Sequence, residues 1–397
     1  MEKQASTGVE KTPYHSYKVK GLAKGCKHCV KGEKLVLFIT GLCDRGCFYC
    51  PLSDEKRGCD VVYANEWDTG HVRGELTREQ YDIIIEEARM CNAKGAGITG
   101  GDPLLVTERS REAIKRLKSA FGKDFHIHLY TSLENVTGEK LEKLYSAGLD
   151  EIRFHPNLDD DSLWDRLNLA RSFDWDVGVE IPVIPGYEDK TKKLIDYVAD
   201  KIDFLNLNEL ELSDSSGNKL VERGYAAKDD ESYAVAGSLE MGLALMEYCL
   251  DKGYKFKIHL CTVKLKDAVQ VGERIKRRSE KAATSRDIVT KEGLLIRGVI
   301  YLKETAPSFS YRKMIKEMPP EKRKELLSRL DLLRDELVKK YSLKNDEISV
   351  DIDKLRLLTT QKTVKKFAER LKAAGLVPAV VEEYPTKDAL EVDIEFL

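Results

Sequence analysis

The sequence predicts an α/β fold, a partial parallel (β/α)6-type barrel with an N-terminal extension and a C-terminal α+β domain. Three observations carry that expectation. From residue 34 to about 210, short apolar runs alternate with amphipathic stretches of helical length. Strands separated by such helices imply right-handed crossovers and a parallel sheet. Beyond residue 289 the pattern changes to strands set around charged helices. The length of 397 residues also exceeds what one core usually organises.

Taken in order, residues 1–33 form an extension containing "GCKHCVKG", a Cys-x2-Cys knuckle with flanking glycines. The first strand is "KLVLFIT" (34–40). "LTREQYDIIIEEARMCN" opens with Thr77 and Gln80 in capping-box spacing and keeps Tyr81, Ile84, Ile85 and Ala88 on one helical face. Strands at 96–99, 125–131, 150–155, 176–184 and 203–210 then alternate with helices near 107–120, 138–146, 159–171 and 188–200. A helix at 232–251 leads into "YKFKIHLC" (254–261), which completes a barrel domain at 34–262. A basic connector (263–288) precedes the α+β domain at 289–397.

Composition narrows the function. A net charge of −2 argues against a globally basic nucleic-acid binder. The N-terminus lacks the apolar core of a signal peptide, and no apolar run approaches the ~20 residues of a bilayer span. Nine clustered cysteines suit metal binding in a reducing compartment better than disulfides. A cytoplasmic protein is expected.

The chemistry concentrates in "TGLCDRGCFYCPLS" (40–53), just past the first strand. Cys43, Cys47 and Cys50 make three thiolates, whereas a four-iron cluster normally takes four. Three leave an open metal position, and open positions serve chemistry rather than folding alone. A structural zinc site with Cys59 as its fourth ligand is the alternative from spacing. The second strand ends in "GITGGDP" (97–103), so Gly100, Gly101 and Asp102 should emerge beside the cysteine loop, where parallel α/β folds carry their active sites.

With these residues the chain resembles the radical S-adenosylmethionine superfamily, and within it an archaeal group related to pyruvate formate-lyase activating enzyme. Cys43, Cys47 and Cys50, Tyr49 before the last of them, Gly100-Gly101-Asp102 and "VEIPVIPGYED" (179–189) carry the resemblance. It implies an enzyme in which the three thiolates hold a 4Fe-4S cluster and S-adenosylmethionine fills the open iron. It also implies that Gly100, Gly101 and Asp102 bind the methionine ammonium, with Asp102 where the family commonly has Glu, and that the backbone of Tyr49 meets adenine. Thr131, Arg153, His155, Glu180 and Asn208, at later strand ends, are expected to touch ribose, carboxylate or substrate. The implied reaction is reductive cleavage to a 5′-deoxyadenosyl radical that removes hydrogen from an unidentified substrate, with an electron donor such as a ferredoxin or flavodoxin. A protein activase forming glycyl radicals and an RNA-modifying enzyme are the alternative roles; a non-catalytic iron–sulfur or zinc protein leaves the Gly-Gly-Asp unexplained.

Two further features stand apart. Cys26 and Cys29, with Cys261 and His259, are candidates for a second metal, zinc or iron–sulfur, near the barrel's N-terminal end. Residues 252–286 hold eleven Lys or Arg against three acids, a formal +8 that fits either a solvated helix face or a surface for RNA or another polyanion.

Overall fold

The computed structural model describes residues 8–397. The chain divides into two compact units, the first reaching Arg274 and the second running from Ile275 to Leu397.

Seven parallel strands build the first unit: β1 (Lys34–Phe38), β2 (Gly95–Thr99), β3 (His126–Thr131), β4 (Glu151–Phe154), β5 (Asp176–Val183), β6 (Phe204–Glu209) and β7 (Lys257–Cys261). They lie side by side in chain order. The expected six units are therefore seven, because the 254–261 stretch adds a parallel strand beside β6. The sheet stays open. Val61–Ala64 pairs antiparallel on the β1 edge and Tyr17–Val19 on the β7 edge, so antiparallel strands cover both edges. The second pairing makes part of the 1–33 extension a strand of the same sheet.

Each crossover packs apolar side chains on the outer face. Helix α2 (Arg78–Met90) begins at the expected capping box, Thr77 accepting from the Gln80 amide and Gln80 from the Thr77 amide. Leu35, Leu37, Ile98, Ile127, Leu129 and Ile152 share one buried cluster with Ile84 of α2 and with Ile114 and Leu117 of α3 (Thr107–Phe121). Helices α4 (Gly138–Ser146), α5 (Glu188–Val198) and α6 (Ser238–Asp251) follow the same scheme. The crossover expected as a helix at 159–171 is a tighter three-residue-per-turn helix, Trp164–Ser172.

Side chains alternate across a strand, so the inner face carries the intervening residues. Many of them are polar: Lys34, His126, His128, Tyr130, Glu151, Arg153, Glu180, Asn206 and Asn208, while Val36, Phe38 and Phe204 share the face. Closed barrels of this class fill that space with branched apolar side chains. Here side chains from β1, β2, β3, β5 and β6 line a single cavity of about 850 Å³. Helix α1 (Lys24–Cys29) lies at the N-terminal end of the strands, where the Gly25 amide donates to Glu151 Oε2 at 2.9 Å.

The second unit is an antiparallel sheet built around Leu295–Tyr301, which pairs with Arg356–Thr359 on one side and Val377–Glu383 on the other. Helices Pro320–Tyr341 and Gln361–Ala373 share its apolar core through Leu326, Leu330, Val364 and Leu371. Helix α7 (Gly272–Ala282) runs through the expected connector.

Candidate active site

The loop after β1 carries Cys43, Cys47 and Cys50, and all three line the cavity. Cys43 is exposed and the other two are half-buried. Main-chain bonds fix the loop from both ends. At its start, Ile39 donates to Thr99 O, and Gly41 to Cys59 O. At its far end Lys219 donates to Phe48 O at 2.6 Å, and the Ser215 hydroxyl to Cys50 O. Arg45 reaches across to His155 O at 2.6 Å. Below the loop, buried Arg109 grips Asp60 in a bidentate pair at 2.7 and 2.8 Å, and Thr40 donates to the same carboxylate.

The Gly100-Gly101 turn lies directly against this loop. Gly101 donates to Thr40 O at 2.8 Å and Asp102 to Leu42 O at 2.7 Å. A Cβ on Gly101 would stand 2.1 Å from Leu42 O, closer than any side-chain carbon tolerates. The glycine is thus required by the cysteine loop itself.

Of the expected cofactor residues, Tyr49, Gly100, Gly101, Thr131, His155, Glu180 and Asn208 line the cavity, whereas Asp102 and Arg153 do not. Asp102 has no exposed surface. Its carboxylate accepts from Thr131 Oγ1 (2.7 Å), Leu104 N (3.0 Å), Ser132 Oγ (2.5 Å) and Asn135 Nδ2 (3.5 Å). Three of these bonds are 3.0 Å or shorter, while Asn135 Nδ2 also donates to Asp44 Oδ2 at 3.0 Å. Arg153 is likewise enclosed, between Glu151 and Glu180 at 2.5 and 2.8 Å. Both side chains thus have their charges met by protein groups.

Glu180 does face the cavity. Arg153, Asn206 and Asn208 all donate to it, and together they hold its carboxyl below the ordinary range despite burial. His155 Nδ1 lies 2.8 Å from Glu180 O and its Nε2 3.0 Å from the Tyr49 hydroxyl. Burial lowers the imidazole to about 4. A neutral ring that donates from Nδ1 and accepts from Tyr49 satisfies both bonds.

The sequence reading did not place Ser132, Gln270 or Cys29 at the cavity wall, where they lie. Cys26 Sγ instead accepts from Asn206 Nδ2 at 3.3 Å, and burial raises its thiol to about 12. Cys261 packs with Val30 and Leu265. Among the described residues, no three His, Cys, Asp or Glu side chains converge as ligands of a single ion. A four-iron cluster makes a different demand, since each thiolate binds its own iron, and three thiols spread along one cavity wall fit that donor set. Burial raises Cys43 to about 11 and raises Cys47 as well, so a metal's positive charge would offset the cost of ionising them.

Residues 37–198 match the model of the radical SAM superfamily. A protein of Methanocaldococcus jannaschii, provisionally named a glycyl-radical enzyme activating enzyme, is 39% identical over 381 residues, covering 94% of this chain and 92% of that one. The chain belongs to the radical SAM superfamily. Solved structures with some likeness include methylornithine synthase (14% identity, TM-score 0.36, 57% of this chain and 70% of that one). Coproporphyrinogen III oxidase from Escherichia coli is another (14% identity, TM-score 0.35, 62% and 60%).

As a radical SAM protein the chain is an enzyme, and its family implies a 4Fe-4S cluster with S-adenosylmethionine. When bound, the pair supplies a 5′-deoxyadenosyl radical for hydrogen abstraction, while the protein supplies position and exclusion of water. Among the described residues no helix is long and apolar enough to cross a membrane.

Proposed function

We propose that Cys43, Cys47 and Cys50 hold the cluster and that the chain abstracts hydrogen from a substrate bound in the cavity beside them. The observation that carries this reading is the joining of two loops. Three thiols and the Gly100-Gly101 turn line one cavity and are tied by the Gly101–Thr40 and Asp102–Leu42 hydrogen bonds. In this reading the Gly100-Gly101 backbone and the Thr131 and Ser132 hydroxyls face the methionine part, and Asp102 acts by orienting those hydroxyls. Tyr49 and His155 brace the cysteine loop against the opposite wall. Glu180 and Asn208 offer polar contacts to ribose or substrate, with Arg153 behind them.

A one-electron donor such as a ferredoxin or flavodoxin fits the exposure of Cys43. The relative's name supports a narrower role, formation of a glycyl radical on a partner protein. RNA or another polyanion at 252–286 has less support, because Arg274 and Arg278 are buried: Arg274 pairs with Glu66 and Arg278 donates to Pro385 O. A second metal at Cys26, Cys29 and Cys261 is also disfavoured, since Cys26 is already hydrogen-bonded and Cys261 lies among apolar side chains.

The test is anaerobic reconstitution of the protein and of a variant with Cys43, Cys47 and Cys50 all changed to Ala. The variant is expected to lose the broad visible absorption of the cluster and the release of 5′-deoxyadenosine under a strong reductant. Equal iron per chain in the two proteins would overturn the assignment.

A further inference from the structure

The start of the cysteine loop is held by the turn after β2, through the Gly101–Thr40 and Asp102–Leu42 bonds. Cys50 lies further along the loop and takes its supports from a different element. That element is the stretch 213–219, "SDSSGNK", which follows β6.

Its residues are turn formers whose side chains bond their own backbone. The Ser215 amide donates to Ser213 Oγ at 3.3 Å, and the Leu220 amide to Asn218 Oδ1 at 3.2 Å. Leu210 and Leu220, on either side, are buried in the core of the first unit and anchor both ends.

Between those anchors the stretch pairs with the far half of the cysteine loop. Asn218 bridges Tyr49 in antiparallel register. The Lys219 amide donates to Phe48 O at 2.6 Å, and the Ser215 and Ser213 hydroxyls to Cys50 O and Pro51 O, both at 3.3 Å. Pro51 has no amide of its own, so its carbonyl is the main-chain group by which it can be held. Beyond it, Asp54 Oδ1 accepts from the Ser216 amide at 3.0 Å and the Ser216 hydroxyl at 2.6 Å. A Cβ on Gly217 would come within 2.8 Å of the Arg57 side chain, so the stretch also packs directly on the residues that follow.

Asp54 and Ser216 are both exposed, and both line the cavity together with Cys50. Their bond therefore fills no core; it joins the loop that carries the third thiol to the end of the sixth strand. Metal sites depend on the groups that fix their ligands as well as on the ligands. Here the first thiol is referred to β2 and the third to β6.

We propose that residues 213–219 position Cys50, and that Asp54 is the fastening point, acting through Ser216. This deepens the reading above, on which it rests for what the thiols hold.

The test compares Asp54→Ala with Asp54→Asn, whose amide oxygen can still accept both Ser216 bonds. In the full-length metal-free protein, brief alkylation with iodoacetamide and tandem mass spectrometry follow Cys43, Cys50 and Cys59 separately. Asp54→Ala is expected to raise the ratio of Cys50 to Cys43 alkylation rates about fivefold, the effect of one lost hydrogen bond on local opening. Asp54→Asn is expected to keep the wild-type ratio. In the reconstituted holoprotein, Asp54→Ala is expected to shift and broaden the electron paramagnetic resonance signal of the reduced cluster, and Asp54→Asn to restore it. An unchanged ratio or an unchanged signal in Asp54→Ala would overturn the proposal. So would an equal rise at all three thiols, which marks general loosening, or an Asp54→Asn that behaves like Asp54→Ala. Failure of the cluster assignment shows separately, as iron retained by the triple-Ala variant.

Discussion

Thr131 donates its hydroxyl to Oδ1 of Asp102 at 2.7 Å, and with Ser132, Asn135 and the Leu104 amide it saturates a carboxylate that has no exposed surface. Asp102 thereby joins the second and third strand-end loops, and in the proposed reading it acts by positioning them. Asp102→Ala leaves buried donors unpaired, at about 1–3 kcal/mol of stability. We expect that loss in urea unfolding of the metal-free protein, accompanied by weaker S-adenosylmethionine binding in the holoprotein. A direct contact with the ammonium predicts the opposite split, weaker cofactor binding with unchanged stability of the metal-free chain.

Gly101→Ala tests the seam between the glycine turn and the cysteine loop. The new methyl would stand 2.1 Å from Leu42 O, a backbone atom one residue before Cys43. One of the two main-chain hydrogen bonds across the seam must then lengthen or break. The expected result is reduced iron incorporation on reconstitution, with far-UV circular dichroism retained. Full iron loading would show that the seam is not needed to hold the cysteines in place.

The parallel strands and the capping box at Thr77 were legible because their signals are local: apolar runs, helix period and cap spacing. The edge strands were not. Tyr17–Val19 is three residues long, too short for periodicity, and owes its conformation to β7. Asp102 shows a different limit. Its motif was readable, but its role depends on how many donors surround it, and three of the four come from the loop around Thr131 to Asn135 or its edge. Cys29 was read as lying near the strands' N-terminal end, and it ends the helix that sits there. Its access to the cavity depends on the small Gly97 and on the side chains around it, which strand length alone does not reveal.

The inner histidines make stability depend on pH. Burial lowers His259, 3% exposed and 3.0 Å from the Ser16 hydroxyl, to about 4. Its imidazole stays neutral in the fold, while the unfolded chain protonates near 6.5. The unfolded state thus binds more protons between those values, so stability is fully present above pH 6.5 and is lost as pH falls toward 4. At pH 5 the loss for this group is about 2 kcal/mol. His259→Gln should show a correspondingly smaller drop than wild type between pH 7.5 and pH 5 in urea unfolding. Identical drops would mean that His259 does not titrate differently in the folded chain.

The second unit has a buried ionic centre of its own. Arg356 and Glu383 are both 0% exposed, and Arg356 Nη2 donates to both Glu383 oxygens, at 2.9 and 2.7 Å. Asp351 accepts from Arg356 Nε at 2.9 Å, and Arg297 donates to Glu383 at 2.8 Å. Breaking such a pair from one side leaves a desolvated charge and costs about 3–5 kcal/mol. Replacing both partners by apolar groups costs less, because no charge is left stranded. We expect Glu383→Ala to accelerate amide exchange across Leu295–Tyr301 and Val377–Glu383, the strands that the pair spans, with His126–Thr131 unchanged. Arg356→Met with Glu383→Leu should recover part of that protection. If Glu383→Ala leaves exchange in those strands at the wild-type rate, the pair contributes nothing to holding the unit together, and its core rests on Leu326, Leu330, Leu357 and Val364.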